Sequence, residues 1–283
     1  MRELYSVGNY VAEQSSGSYV GFGSFLNQSA IYSDLATFEQ LFDLPLRNFS
    51  VELINGGVND QDLTTAMIGE ADLDVQNIVG VTSGNLPIVE FITGGMPPFI
   101  PDLTEPTLAD NQNEPYLPYY QYLLSRTNAE LPQAISNSYG EDEQTVPEAY
   151  AKRVCYMIAM LGLRGISVFE SSGDLGVGAA CQSNDGKKTP EFSPQFPGTC
   201  SFLTSVGGTQ SVSPEVAWTN GSGGFSNYFP RPAYQQAAVQ TYLQNHISPA
   251  TLAYYQPYFN QSGRGFPDVS AHSLRPNFEV CPM

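Results

Sequence analysis

Short apolar runs alternate along the chain with stretches in which apolar residues recur every three or four positions. The runs predict strands, the recurring pattern predicts helices, and their alternation is typical of βαβ units around a parallel sheet. From Ser201 onward, short strands and turns replace this alternation. We therefore expect one α/β domain over residues 1–283, with a mostly parallel central sheet flanked by helices. The predicted strands are 19–26, 49–54, 87–92, 134–139 and 166–170, and the predicted helices are 34–42, 70–79, 116–124 and 147–163.

Two of the predicted helices carry further local signals. Ser33 precedes the helix 34–42 and is a plausible N-cap, and Pro147 lies at the start of the helix 147–163. Cys155 falls among the apolar positions of that second helix. We expect it to be a buried, unpaired thiol.

The chain is strongly acidic, with 28 Asp and Glu against 11 Lys and Arg and a formal net charge of −17. A surface of this sign argues against nucleic acid and anionic membranes as partners, because both require positive patches. Mutual repulsion of the carboxylates falls near their usual pKa of about 4, which favours an acidic working environment. The alternative interpretation is that the charge serves only to keep the protein dissolved.

Four N-x-S sequons indicate a glycoprotein of the secretory route. The sequence has no apolar run of about 20 residues that could span a membrane, and its first residues do not form a signal peptide. We therefore expect an extracellular protein, or one of an acidic vacuole-like compartment, whose amino-terminal segment is missing from this sequence. The sequon residues are Asn27, Asn48, Asn220 and Asn260.

The segment GEADLDVQ places Glu70 and Asp74 four residues apart, on one face of a helix. Together with Asp72 it puts three acids in five residues. One interpretation is structural, because the amino terminus of a helix attracts negative charge. The other is functional: two neighbouring carboxyls share a proton, so one has a raised pKa and acts as a general base.

The segment FESSGDLGVG leaves a predicted strand and holds Asp174 in a glycine-rich loop. Ligands bind at this carboxyl edge of parallel sheets, so Asp174 is a candidate site residue. The alternative is an ordinary aspartate in a glycine turn.

Other kinds of catalytic site find little support. A Ser-His-Asp triad needs an imidazole, and neither His246 nor His272 has the sequence context of a base. Zinc-binding motifs and Cys-His clusters are absent. A secreted glycoside hydrolase with paired carboxylates is a further alternative.

Several ordered motifs spread over the whole chain resemble those of the sedolisin family, the serine-carboxyl peptidases, and most closely its secreted fungal tripeptidyl-peptidases. They are the opening at 2–8, the E-x-x-L-D motif at 70–74, S-x-SYG at 136–140, SSGDxGVG at 171–178, FP-x-x-C-x-x-x-TSVGGT at 196–209, GGFSNYFPRPxYQ at 223–235 and RGFPDVSA at 264–271.

The resemblance implies a subtilisin-like fold in which acids replace the histidine. Glu70 is similar to the family's general base and Asp74 to the residue that orients it. Asp174 resembles the oxyanion-hole aspartate, which works as a neutral hydrogen-bond donor at low pH. Ser138, Tyr139 and Gly140 correspond to the strand that pairs with the substrate backbone. The implied partners are peptide or protein substrates, and we expect a monomer.

The chain departs from the family pattern at its end. In the family, the nucleophilic serine lies in a G-T-S-x-S segment downstream of RGFPDVSA, followed by a calcium-binding loop. No such segment occurs here, and Ser211 belongs to the earlier VGGT strand. We therefore assign no catalytic serine, no metal ligand and no cofactor, and expect a truncated, inactive chain with incomplete fold. A non-catalytic, weakly peptide-binding protein is the alternative.

Cysteines in a secreted chain are expected to pair. Cys181 and Cys200 are expected to form a disulfide that fixes the loop after Asp174. Cys281 is expected to be loose near the terminus.

Overall fold

The computed structural model describes residues 1–12, 17–83, 85–278 and 280–281. In this part of the chain the strands are β1 (Val20–Ser24), β2 (Ser50–Ile54), β3 (Ile88–Thr93), β4 (Ala134–Asn137), β5 (Glu141–Asp142), β6 (Ser167–Ser171), β7 (Gln195–Phe196), β8 (Thr204–Gln210), β9 (Val216–Ala217), β10 (Gly224–Pro230), β11 (Gly263–Phe266) and β12 (Val269–Leu274). The α-helices are α1 (Tyr32–Leu41), α2 (Gly69–Thr82), α3 (Tyr116–Ser125), α4 (Glu148–Leu163), α5 (Gln236–Thr241) and α6 (Pro249–Tyr255).

Among the described residues, the central sheet has eight strands. Seven are parallel, in the spatial order β12-β8-β6-β4-β1-β3-β2, and β9 pairs antiparallel with β8. The chain starts in the middle of the sheet at β1, fills one side with β2 and β3, and then crosses to β4 and the other side. The connections from β1 and β4 therefore leave in opposite directions, which opens a crevice at their carboxyl ends. The predicted fold class, a mostly parallel sheet flanked by helices, is confirmed.

Each side of the sheet has its own apolar core, because successive side chains of a strand point to opposite faces. Phe22 of β1 packs on the side of α1 and α2, while Phe25 packs on the side of α3 and α4. The first core also contains Leu35, Phe38, Val75 and Val79, and the second contains Tyr116, Tyr119, Leu123, Val154 and Ile158.

The start of α1 differs from the prediction. Ser33 is not the N-cap, since the helix begins at Tyr32 after Ile31. The Ile31 amide donates a hydrogen bond to Asp72 Oδ1 at 2.8 Å, and the Tyr32 amide donates to Gln61 Oε1 at 3.1 Å. Side chains from elsewhere in the chain thus satisfy these amides, which removes the need for a local cap.

The carboxyl-terminal third contains more helix than its pattern predicts. Helix α6 has a clear local signal, because Ser248 accepts a hydrogen bond from the Thr251 amide and Pro249 occupies the first turn. Strands β10 and β11 form a separate antiparallel pair. No helix in the described residues is both long enough and apolar enough to span a bilayer.

The predicted disulfide is wrong, and so is the prediction that Cys155 is unpaired, although Cys155 is buried as predicted. Cys200 bonds to Cys155, with the two Cα atoms 5.5 Å apart, and Cys181 is an exposed free thiol whose Sγ lies 3.3 Å from the Gly178 carbonyl oxygen. Cys155 lies on the buried face of α4, where Cys200 meets it from the loop before β8. Cys281 is half-buried, and its amide donates to Gln76 Oε1 at 2.9 Å, so it is not loose.

Mass spectrometry without reduction is expected to find Cys155 linked to Cys200. In the native protein a maleimide should label Cys181. In the chain-entropy model, closing a loop of 45 residues adds about 4 kcal/mol to the free energy of unfolding. Cys155→Ala should therefore lower the free energy of unfolding by about 4 kcal/mol or more. Cys181→Ala, the matched control, should change it by less than about 0.5 kcal/mol. A peptide linking Cys181 to Cys200 would contradict this assignment.

Candidate active site

A cleft of about 610 Å³ lies between α2 and the β4, β6, β8 and β12 strands. Glu70 and Asp74 lie one helical turn apart on the side of α2 that faces it. Ala71, Val75 and Val79 of the same helix are buried in the core. The helical spacing of the motif therefore separates an apolar face from a face that carries two carboxyls.

Ser138 follows β4 directly and connects this strand to the acid pair. Its hydroxyl donates a hydrogen bond to Asp74 Oδ1 at 2.6 Å, and hydrogen bonding to the same hydroxyl also lowers the pKa of Glu70. The hydroxyl thus lies within reach of both carboxyls. This contact was not predicted, because the sequence assigned Ser138 only to the binding of substrate backbone.

The environment of the pair favours its protonated forms. Burial, followed by the negative charge of Asp174, raises the pKa of Glu70 to about 7, against the opposing hydrogen bond from Ser138. Burial and the charge of Glu70 hold the pKa of Asp74 well above its usual range. Because the two carboxyls repel each other when both are ionised, the pair retains a proton in weakly acidic solution.

Asp174 reaches the same cleft from the loop after β6. Gly173 has a φ of 98°, and Ser222 fixes the loop around it by donating its amide to the Gly173 carbonyl (2.7 Å) and accepting from the Leu175 amide (2.9 Å). A Cβ atom at Gly178 would lie 2.3 Å from Ser193 Cβ, so this position requires glycine. Burial raises the pKa of Asp174 although part of the residue faces solvent.

Tyr139 and Gly140, predicted with Ser138 to bind substrate, are firmly held. The Tyr139 ring is buried against Phe25, and the Tyr139 carbonyl accepts a hydrogen bond from the Tyr116 hydroxyl at 2.7 Å. A Cβ atom at Gly140 would lie 2.9 Å from the Phe196 carbonyl oxygen. The segment forms a rigid wall, and its pairing with substrate stays a prediction.

Asp72, the third acid of the motif, points away from the cleft and accepts the Ile31 amide. The first amides of α2 do not bind an acid either: those of Glu70 and Ala71 donate to Gln28 Oε1, at 2.7 and 3.3 Å. Glu70 and Asp72 do lie in the first turn of α2, where the helix dipole favours negative charge, so the structural interpretation of the motif stands beside the functional one.

Glu170 is a cleft residue that the sequence did not single out. It is buried in β6, where it accepts hydrogen bonds from Asn137 Nδ2 (3.2 Å) and the Tyr116 hydroxyl (3.3 Å). Burial raises its pKa well above the usual range. The sequence did contain a signal for Glu170. Val168 and Glu170 occupy alternate positions of the strand and therefore face the same, buried side. An acid at such a position is costly to bury, so it marks the residue as unusual.

Neither histidine makes a hydrogen bond to the acid pair. His272 lines the cleft from β12, with Nε2 2.7 Å from the Pro276 carbonyl oxygen, and His246 is exposed. In the described ranges, no three His, Cys, Asp or Glu side chains are grouped so as to hold a metal ion.

Three sequon asparagines, Asn27, Asn48 and Asn220, are exposed. Asn260 is half-buried, and its side-chain amide donates to the Ser226 carbonyl at 2.9 Å. A glycan on that nitrogen would compete with this hydrogen bond.

The chain is similar in sequence to fungal tripeptidyl-peptidases. No family model matches the chain. Tripeptidyl-peptidase sed4 of Aspergillus fumigatus is 66% identical over 278 residues, which are 98% of this chain and 47% of that protein. A tripeptidyl-peptidase of Arthroderma otae is 46% identical over 277 residues, 97% of this chain and 45% of that protein. The chain thus spans about half the length of these curated relatives.

One solved structure supports the fold. A Pseudomonas sedolisin, described as a serine-carboxyl proteinase in complex with pseudo-iodotyrostatin, superposes with a TM-score of 0.60 at 19% identity, over 95% of this chain and 68% of that one. The chain is thus a homologue of the fungal tripeptidyl-peptidases over nearly its whole length, and it has the α/β fold of sedolisin.

Proposed function

We propose that this chain is the acid-base part of a serine-carboxyl peptidase that hydrolyses peptide bonds in acidic surroundings, in the manner of a tripeptidyl-peptidase. The observation that carries the proposal is the pair of Glu70 and Asp74 in a cleft that Asp174 also enters. The homology to tripeptidyl-peptidases supports it.

The proposed catalytic steps follow from the surroundings of Glu70, Asp74 and Asp174 in the cleft. The ionised form of Glu70, a stronger base than an ordinary carboxylate because its pKa is raised, removes the proton from a serine hydroxyl as that oxygen attacks the peptide carbonyl. Protonated Asp174 donates a hydrogen bond to the resulting oxyanion. Glu70 then gives its proton to the leaving amine, and water repeats the sequence on the acyl-enzyme. Asp74 holds and orients Glu70.

We propose that the nucleophilic serine lies outside residues 1–283, as the family resemblance implies. The sheet face over β6 supports this, because Phe169 is 38% exposed to the cleft and the chain covers about half of its relatives. A further segment that packs on this face would cover the apolar surface and bring a hydroxyl to Glu70. On this proposal residues 1–283 alone hydrolyse no peptide and bind peptides weakly.

Ser138 is the second candidate nucleophile, since its hydroxyl already donates to Asp74. A serine so placed would make the 283 residues active by themselves. This candidate requires Ser138 to leave Asp74 and approach a substrate carbonyl.

The test compares residues 1–283 with the same residues extended by the downstream part of the Aspergillus fumigatus relative. Peptides with unblocked amino termini are incubated at acidic pH, and products are identified by mass spectrometry. We expect the extended protein to release tripeptides and residues 1–283 to release none. A folded extended protein without peptidase activity would overturn the proposed function.

If residues 1–283 cleave peptides, Ser138→Ala decides between the two nucleophiles. Loss of that cleavage in Ser138→Ala, but not in the matched control Ser211→Ala, would identify Ser138. Circular dichroism of each variant shows whether it is folded.

We further propose that the protein is secreted and glycosylated at Asn27, Asn48 and Asn220, whose side chains are exposed. Asn260, with its amide already bonded to Ser226, should be the least occupied of the four. Peptide mapping after endoglycosidase treatment measures each site separately.

A further inference from the structure

Glu170 is a buried residue of the cleft that the proposed catalytic steps leave without a role. It is 1% exposed, and its two carboxyl oxygens contact different partners. Oε2 accepts a hydrogen bond from Asn137 Nδ2 at 3.2 Å, and Oε1 lies 3.3 Å from the Tyr116 hydroxyl. Because a buried carboxyl is costly, these two contacts are the place to look for its function.

The Tyr116 hydroxyl shows which form of Glu170 fits this arrangement. The hydroxyl lies 2.7 Å from the Tyr139 carbonyl oxygen and 3.3 Å from Glu170 Oε1. A carbonyl has no proton to give, and a tyrosine hydroxyl has only one. The shorter contact therefore takes the hydroxyl proton. The longer contact is a hydrogen bond only when Oε1 carries a proton of its own and donates it to the hydroxyl oxygen.

The Asn137 side chain agrees with this assignment at the other carboxyl oxygen. Asn137 Oδ1 accepts a hydrogen bond from the Tyr119 hydroxyl at 3.1 Å. Its Nδ2 group donates to the Tyr120 hydroxyl and to Glu170 Oε2, each at 3.2 Å. Oε2 is thus the accepting oxygen, and Oε1 the donating oxygen, of a neutral carboxyl group.

Both partners of Glu170 hold the same piece of chain, which we call the wall segment, Ser138 to Gly140. Asn137 precedes this segment directly. Tyr116 donates a hydrogen bond to the carbonyl of Tyr139, the middle residue of the segment. Glu170 is therefore connected to the wall segment by two routes, one through Asn137 and the other through Tyr116.

The surroundings of Glu170 favour its neutral form. The strands on either side place Asn137 and Ser205 beside it, and no Lys or Arg side chain lines the cleft in the described part of the chain. The titratable groups that face it are Asp74 on α2, Glu114 before α3, Tyr116, Tyr119 and Tyr120 on α3, and Glu141 on β5. Burial, and after it the charges of Glu114 and Asp74, raise the pKa of Glu170 well above its usual range.

We propose that Glu170 is a positioning residue for the wall segment: as a neutral acid it donates to the Tyr116 hydroxyl, and when it ionises it releases the segment. An ionised carboxylate has no proton to donate and is a stronger acceptor than a carbonyl. The Tyr116 hydroxyl then turns its proton from the Tyr139 carbonyl to Glu170, and the wall segment loses this hydrogen bond. The inference rests on the proposed function only for one consequence, that peptides bind less tightly as Glu170 ionises.

The test observes the Tyr139 carbonyl itself. Tyr139 and Gly140 form the only Tyr-Gly pair in the sequence. The 283-residue protein labelled with carbonyl-¹³C tyrosine and ¹⁵N glycine therefore gives one signal in a carbon-detected carbonyl–nitrogen spectrum. We expect the ¹³C signal to move upfield as Glu170 ionises between about pH 5 and about pH 8, because the carbonyl loses its donor. Circular dichroism at each pH verifies that the protein is folded.

Glu170→Gln should remove this pH dependence, because its Nε2 group can donate to the Tyr116 hydroxyl, and its Oε1 atom can accept from Asn137, at every pH. Tyr116→Phe removes the donor itself and should keep the signal near its high-pH position throughout. Glu90→Gln is the matched control. It neutralises another buried acid of the sheet, in β3, and should leave the movement of the signal unchanged.

The KM of the extended protein for a peptide substrate separates positioning from chemistry. At about pH 5 the parent and Glu170→Gln should have equal KM values, because both carry a neutral side chain. At the highest pH at which both cleave peptide, the KM of the parent should be about fivefold above that of the variant, near the effect of one hydrogen bond. The two kcat values should differ by less than about twofold.

A carbonyl signal that does not move, or that moves equally in the parent and in Glu170→Gln, would overturn the inference. A Tyr116→Phe signal at the low-pH position of the parent would do so as well, whether or not Glu170→Gln folds. The same holds for a ratio of KM values that does not change with pH. Lack of peptidase activity in the extended protein, together with a carbonyl signal that titrates in the parent but not in Glu170→Gln, would instead overturn only the proposed hydrolysis.

Discussion

Replacing Glu70 by Gln in the extended protein is expected to lower kcat/KM for peptide cleavage by about 10³–10⁴-fold, near the upper end of what a general base contributes. Glutamine keeps the size of the side chain but cannot accept the proton of the nucleophile. The fold should be unaffected, because the backbone amide of residue 70 still donates to Gln28. Initial rates with a peptide substrate measure the loss, and thermal unfolding verifies the fold.

Asp72→Asn is the matched control for this variant. It neutralises an acid two residues away on the same helix, where Asn Oδ1 can still accept the Ile31 amide that Asp72 binds now. Activity should remain within a few-fold of the parent. Near-parental activity of Glu70→Gln at acidic pH would remove the acid pair from the mechanism.

Asp174 variants separate the base from the oxyanion donor. Asp174→Ala should reduce kcat by about 10²–10³-fold, the usual effect of losing one oxyanion donor. Asp174→Asn retains an N–H donor at every pH, so it should lose less. In the parent, burial raises the pKa of Asp174, so the donor is present below that pKa and is lost as pH rises through it. A variant in which only KM rises would indicate that Asp174 binds substrate instead.

The predictable parts of the fold are those with local, repeated signals. Helix α4 has apolar residues at helical spacing and a proline at its start, and β6 is a short apolar run before a glycine-rich loop. The acid pair was equally predictable from the sequence, because its four-residue spacing on α2 brings Glu70 and Asp74 to one face. Local periodicity is sufficient for such features.

Features that depend on contacts between distant segments could not be predicted from the sequence. The partner of Cys200 is set by the packing of α4 against the loop before β8, and the expectation that a secreted chain pairs its cysteines did not identify it. A second cavity, of about 260 Å³, is lined by both Glu105 and Glu141, which are 36 positions apart in the chain. Neither contact leaves a periodic signal, because side-chain pairing across the fold depends on the finished topology.

Buried acids also make the stability of the protein depend on pH. The clearest case is Glu90 in β3, which is 0% exposed and accepts hydrogen bonds from the Ser24 hydroxyl (2.7 Å) and the Ala30 amide (3.0 Å), while its Oε2 atom has no donor. Burial raises its pKa from the usual 4.5 to about 7. Raised pKa values from burial recur at Glu70, Asp72, Asp74, Glu114, Glu141 and Glu170.

The free energy of unfolding is therefore expected to be larger at about pH 5 than at about pH 8. Between the unfolded and folded pKa values of Glu90, the folded state binds more protons than the unfolded state, so stability falls as pH rises through that interval. The contribution is fully present below about 4.5 and is lost as pH passes about 7. One pKa unit corresponds to about 1.4 kcal/mol, so Glu90 alone accounts for roughly 3 kcal/mol. Repulsion within a net charge of −17 acts in the same direction.

Urea unfolding of the parent and of Glu90→Gln at the two pH values measures this contribution. Glutamine can retain the acceptor for Ser24 and Ala30 without ionising, so the variant should show a smaller difference between the two pH values and should be more stable than the parent at the higher one. Glu130→Gln is the control, because Glu130 is exposed and its hydrogen bonds from the Thr127 amide and hydroxyl lower its pKa. It should leave the difference between pH 5 and pH 8 almost unchanged. Equal or greater stability of the parent at the higher pH would contradict the raised pKa of Glu90 and of its buried neighbours in the folded protein.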